Sequence, residues 1–123
     1  MEEQIEVMRQ SLGLIDTVLE GLTHIVKQLE EGLTSEAVQL ISDINLASAS
    51  LENSLSGLLT ELDSTGLTLN QMEEVKLSLE QVTFLFEGQN FDQVRVQIQD
   101  KLIPRVDNLN DLLKKVFQPF LVS

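Results

Sequence analysis

Cysteine, tryptophan and tyrosine are all missing from this 123-residue chain, and proline occurs twice. Without cysteine there can be no disulfide framework, no thiolate metal centre and no thiol nucleophile, and the redox compartment stays open. With five phenylalanines as the only aromatics, the core has to be built from Leu, Ile and Val, which suits helices packed side by side. No apolar run approaches the roughly 18 residues needed to cross a bilayer, and Met1-Glu2-Glu3-Gln4 lacks the basic start of a signal peptide. A cytoplasmic, non-membrane protein is therefore expected. Bases are also scarce, eight against 20 acids, for a net charge of −12. Such a chain repels phosphate backbones and anionic lipid, so nucleic acid and membrane surfaces are excluded as partners. The imbalance is concentrated: residues 1–63 hold twelve acids and two bases, residues 64–123 eight acids and six bases. That excess either keeps a small bundle soluble or forms a negative face that steers a basic partner.

What the chain does contain is helical periodicity. Ile5, Met8, Leu12, Ile15, Leu19, Leu22, Val26, Leu29 and Leu33 fall at alternating spacings of three and four, the signature of one helix face. Val18 and Ile25 widen this stripe beyond a two-stranded coiled-coil seam, so the first helix should touch two neighbours. Gly13 and Gly21 lie off the seam and predict local bending or close approach of a neighbour. Gly32 is placed to end the helix, and Thr34 or Ser35 to cap the next. The second helix carries Ala37, Ile41, Ile44, Ser48, Leu51, Leu55, Leu58 and Leu62 on one face, flanked by Leu40, Ala47 and Leu59. Its middle, Leu46-Ala47-Ser48-Ala49-Ser50, is small, which either lets a neighbour approach or leaves a groove.

Asp63-Ser64-Thr65-Gly66 reads as a turn. Thr68-Leu69-Asn70-Gln71 then has the form of a capping box, with Leu67 and Met72 as its hydrophobic staple. The third helix presents Met72, Val75, Leu79, Val82, Leu85 and Phe86 and ends at Gly88. Asn90 can cap a fourth, which shows Val94, Ile98, Leu102, Val106, Leu109, Leu113, Val116 and Phe120. Pro104 lies inside it and predicts a kink or a break. Aligning Glu31-Gly32 with Glu87-Gly88 also hints that the two halves repeat, either by duplication or because both hairpins use the same turn grammar. The expected fold is all-α: one domain, a four-helix up-down-up-down bundle made of hairpins 1–63 and 67–123, with the last helix kinked or broken near Pro104.

Chemistry is hard to find. His24, the single histidine, faces away from the seam, and Gly21 stands where a Glu-x-x-His metal motif needs its glutamate. The pairs Glu30-Glu31 and Glu73-Glu74 point about 100° apart and cannot share a site. Ser48 is the one polar residue on a predicted seam, and with no second histidine and no serine-elbow motif it reads as a hydroxyl bonded to a backbone carbonyl one turn back. Phosphate-binding loops, dinucleotide fingerprints and calcium loops are absent. No catalytic, cofactor-binding or metal-binding residue is expected.

The tail, Lys114-Lys115-Val116-Phe117-Gln118-Pro119-Phe120-Leu121-Val122, gathers cations, aromatics and proline at the terminus. Pro119 should end the helix near Phe117. The apolar end either closes the bundle or meets another chain, which makes Val116, Phe117, Phe120 and Leu121 the candidate partner or dimer contacts. In size, charge and helicity the chain resembles small acidic secretion and flagellar-export chaperones. The expected role is a non-enzymatic adaptor or small chaperone-like bundle that binds a protein. The alternatives are a homodimer formed through the apolar excess of helices one and four, and an enzyme or small-ligand binder using a pocket around Ser48.

Overall fold

A computed structural model describes residues 2–122. The chain forms α1 (Glu2–Glu30), α2 (Thr34–Leu62), α3 (Leu67–Glu87), α4 (Phe91–Gln97) and α5 (Ile103–Leu121), with α4 and α5 joined by a π-helical turn at Ile98–Leu102. Counting α4 to α5 as one rod, four helices alternate in direction, and no strand occurs among the described residues. Helix α1 packs on α2 and on the α4–α5 rod, and α3 does the same from the opposite corner. This is the expected all-α up-down bundle, with α1 and α3 on one diagonal.

The core stripe of α1 runs through Met8, Ser11, Ile15, Val18, Leu22, Ile25 and Val26. It includes the flank expected at Val18 and Ile25. Leu12 and Leu19 are only half-buried and Leu33 is exposed, so the seam lies one row over from the nine-residue series read in the sequence. The displaced row was hidden because one of its members is polar Ser11. On α2 the buried residues are Ala37, Ile41, Ile44, Leu55 and Leu59, with Ser48 and Leu58 half-buried. The buried polar positions are instead Ser11, Thr68, Ser78 and Asn110.

Both hairpin turns end a helix in the same way. Leu33 N–H bonds Gln28 O at 2.8 Å and Gly32 N–H bonds Leu29 O at 3.2 Å, while Asn90 N–H bonds Leu85 O and Gln89 N–H bonds Phe86 O, both at 3.0 Å. These are Schellman closures, which need a left-handed residue. Gly32 supplies it at φ 77, as expected, but in the second turn Gln89 (φ 58) does so, not Gly88. The repeat register is therefore one residue longer than the Gly32–Gly88 alignment suggests. In that register Ser11 corresponds to Thr68, Leu22 to Leu79, Ala37 to Val94 and Ile41 to Ile98, all of them buried. From the last residue of the π turn onward the partners shift by one further residue, Ile44 to Leu102 and Leu55 to Leu113. The π turn is thus a single-residue insertion in an otherwise repeated plan.

Several end signals differ from expectation. Leu33, not Thr34 or Ser35, occupies the N-cap of α2, because the Schellman turn delivers the chain into helix one residue early. At α3 the N-cap is Gly66. Thr68 lies inside the helix, and Leu67 is exposed, so it does not staple the helix start onto the core. Asp63 does the capping: its Oδ2 accepts from Thr68 N–H at 2.9 Å and Thr68 Oγ1 at 2.8 Å, and its Oδ1 accepts from Thr65 N–H at 3.1 Å. These donors hold the Asp63 carboxyl at about 2, below its ordinary 3.8, with the Thr65 hydroxyl the largest cause. Asn90 is the N-cap of α4 but makes no side-chain cap bond. The α pattern does break at Pro104, where the widened turn lies immediately upstream of the ring that would press on the Asp100 carbonyl. Pro119 does not end its helix. Helix α5 continues to Leu121, because a missing amide in the last turn forfeits one bond while Phe117 anchors that turn in the core.

Candidate docking face

Helix α2 is held on both sides, by different means. Toward α1, Gly21 lies against Ile44: a Cβ placed there would stand 3.1 Å from Ile44 Cδ1 and 3.9 Å from Leu40 Cδ1. This is the close approach its position predicted. At the far end the same seam splays into a shallow depression beside Gln4, Val7, Gly57 and Leu58. Toward α3 the seam is polar and open. Asn45 Nδ2 donates to Thr83 Oγ1 at 3.1 Å, and seven residues along each helix Lys76 Nζ stands 3.9 Å from Glu52 Oε1. Between these helices opens a cleft of about 210 Å³. Ser48, Leu51, Leu69, Met72 and Val75 line it, Leu109 reaches it from α5, and Glu52, Glu73 and Lys76 stand at its rim. The small middle of α2 leaves a groove here.

Ser48 makes no backbone hydrogen bond of the expected kind among the described residues. Ser56, also at the cleft, does, donating to Glu52 O at 2.6 Å. His24 is exposed on α1, remote in sequence from every lining residue. No three His, Cys, Asp or Glu side chains come together to hold a metal among the described residues. No helix there is long and apolar enough to cross a membrane.

The outer surface of the α2–α3 layer is unusually apolar. The exposed large hydrophobics are Leu33, Val38, Leu46, Leu67, Leu77, Phe84, Val96 and Val122. None lies within α1 or α5; Val38 and Leu46 lie within α2, and Leu77 and Phe84 within α3, the last in its final turn. Leu46 is 70% exposed and Phe84 68%. Each directly follows a member of the Asn45–Thr83 pair, so the two flank the α2–α3 seam at one height. Leu77 lies two turns from Phe84 on the same stripe of α3 and is also exposed. In the sequence Leu46 counted only as part of the small middle of α2, and Leu77 and Phe84 lie off every apolar stripe; the grouping of the three exists only once α2 and α3 are paired.

The tail residues are placed differently from one another. Phe117 is fully buried in the chain's own core, while Val116, Phe120 and Leu121 are half-buried against it. The inner apolar rows of helices one and four pack on each other, while Val116, Phe120 and Leu121 keep part of their surface exposed.

The chain belongs to the family described as a domain of unknown function, DUF8042, whose match covers residues 6–112. No curated protein and no solved structure matches it.

Proposed function

We propose that this bundle is a non-enzymatic protein-interaction module, an adaptor or small chaperone-like protein, and that it engages its partner through the α2–α3 face. One observation carries the reading: exposed Leu46, Leu77 and Phe84 lie along the same α2–α3 seam that opens, further along, into a cleft reaching buried Val75 and Leu109. Exposed apolar groups that a bundle has no internal use for are kept where something covers them. A volume of about 210 Å³ falls below the roughly 300–1,000 Å³ of sites that enclose a small molecule. It matches one large side chain, the kind of anchor on which protein interfaces concentrate their energy. The carboxylates at the cleft, Glu52 and Glu73, are exposed beside Lys76 rather than held in an apolar surround, which favours binding over catalysis.

The test is affinity capture from lysate of the source cells, at low and moderate salt, with the parent chain and with a Leu46→Glu/Phe84→Glu variant whose helicity is checked by circular dichroism. A stoichiometric protein held by the parent and lost by the folded variant is expected. No stoichiometric protein, or equal retention by both, would overturn the reading.

A further inference from the structure

Charge on the α2–α3 face specifies what covers it. Glu73, Glu80 and Glu87 recur every seven residues along α3, all exposed, and such spacing makes one continuous row along a helix. Glu73 lines the cleft, so this row borders the groove, and Glu52 stands on the opposite bank. Against these four acids the face has one base, Lys76, and it is engaged with Glu52. A second copy of this chain docked two-fold through the same face would set acid row against acid row, because a two-fold interface repeats each patch on both sides.

We infer that the occupant is an amphipathic, cationic helix from another protein, laid along the α2–α3 groove with a bulky apolar residue in the Ser48–Leu109 cleft and a second one between Leu46 and Phe84. This rests on the docking face proposed above and adds the chemistry of its partner. The spacing supports it. The Glu52–Lys76 pair at the cleft and the Asn45–Thr83 pair beside Leu46 and Phe84 are seven residues apart on both helices, two turns or roughly 10 Å. That matches the i, i+7 separation of apolar anchors on a docked helix. The partner's lysines or arginines then fall opposite Glu73, Glu80 and Glu87, while the apolar anchors displace water from the cleft and from the gap between Leu46 and Phe84.

The chain's own composition makes the experiment clean. It contains no tryptophan or tyrosine, so tryptophan fluorescence reports only on an added probe. The probe is a designed amphipathic peptide of about 18 residues, five turns, with leucine on one face, lysine on the other and one tryptophan as anchor. Its counterpart replaces every lysine by glutamate. The lysine peptide should bind with a blue shift of emission, at least about ten-fold more tightly than the glutamate peptide, a difference worth about 1.4 kcal/mol. Glu73→Gln/Glu80→Gln/Glu87→Gln should weaken it about ten-fold, and these exposed positions leave the fold alone. Ser48→Phe, which fills the cleft, should abolish the blue shift. Equal binding of the two peptides, an unaltered affinity for the glutamine variant, or a blue shift retained by a folded Ser48→Phe chain would each overturn the inference. If neither peptide binds while Leu46→Glu/Phe84→Glu still releases a stoichiometric cellular partner, the partner's chemistry is wrong and the face stands. A dimer at tens of micromolar that Phe84→Glu dissociates would replace the cationic helix with a second copy.

Discussion

Along α2, the side facing α1 and the side facing α3 are packed to different standards. Toward α1, Ile44 packs so close to Gly21 that an added Cβ would stand 3.1 Å from its Cδ1. Toward α3, small side chains at Ser48 and Ser56 are met by no matching bulk, and a cleft remains. The connections differ in the same sense. The α1–α2 turn closes with backbone bonds alone, whereas the α2–α3 turn depends on the Asp63 side chain. The lesson is that small residues on a helix do not by themselves close a seam. They do so where the neighbour offers a branched side chain at the same height.

The largest difference should appear on truncation. Ile44→Ala removes atoms from the tight seam, at a site that Gly21 cannot fill, and should cost about 3 kcal/mol. Met72→Ala at the half-exposed cleft should cost about 1 kcal/mol, because little is lost where solvent already enters. Urea unfolding at constant m-value measures both. Equal losses would erase the distinction between the seams.

Enlargement should give the two seams effects of opposite sign. Gly21→Leu forces Ile44 and Leu40 aside and should destabilise by about 2 kcal/mol. Gly21→Ala separates the contributions: a helix-propensity gain of about 1 kcal/mol meets a contact of 3.1 Å to the end of a side chain, for a net effect near zero. Ser48→Leu, entering the cleft, should stabilise by about 1 kcal/mol. A destabilising Ser48→Leu would mean that the cleft is closed in solution.

Much of this contrast could be anticipated from the sequence, and part could not. The four helices, their hairpins and the Gly32 stop were legible because long stretches of three-and-four spacing and a glycine after a lysine-bearing last turn have few other readings. The exact seam of α1 was not, since Ser11 masks the row that packs best. Thr68-x-x-Gln71 satisfied the capping-box pattern, yet Asp63 took the amide and the hydroxyl of Thr68 from the preceding turn, and Gln71 Oε1 was left without a hydrogen-bond partner. A local motif lost to a stronger acceptor several residues upstream. The docking face was illegible for a different reason. Leu46 and Phe84 are separated by most of a hairpin, and only the register fixed by Asn45 and Thr83 sets them side by side.

The smallest expected effect concerns the two turns and is set by pH. Asp63 titrates at about 2 in the folded chain against an ordinary 3.8. A carboxyl whose folded value is depressed stabilises above its unfolded value, and that stabilisation fades as pH falls from about 3.8 through 2. Asp63→Asn should therefore melt below the parent at pH 6, and the gap should close as pH approaches 2. The solvent exposure of the carboxylate keeps the difference small. The Gly32 turn has no titrating side chain in its closure, so a substitution there, such as Gly32→Ala at φ 77, should lower the melting temperature by the same amount at both pH values. Thermal melts followed by circular dichroism, parent and both variants at pH 6 and pH 2, decide the matter. A gap for Asp63→Asn that persists at pH 2 would show that the carboxylate is not what holds the α2–α3 turn.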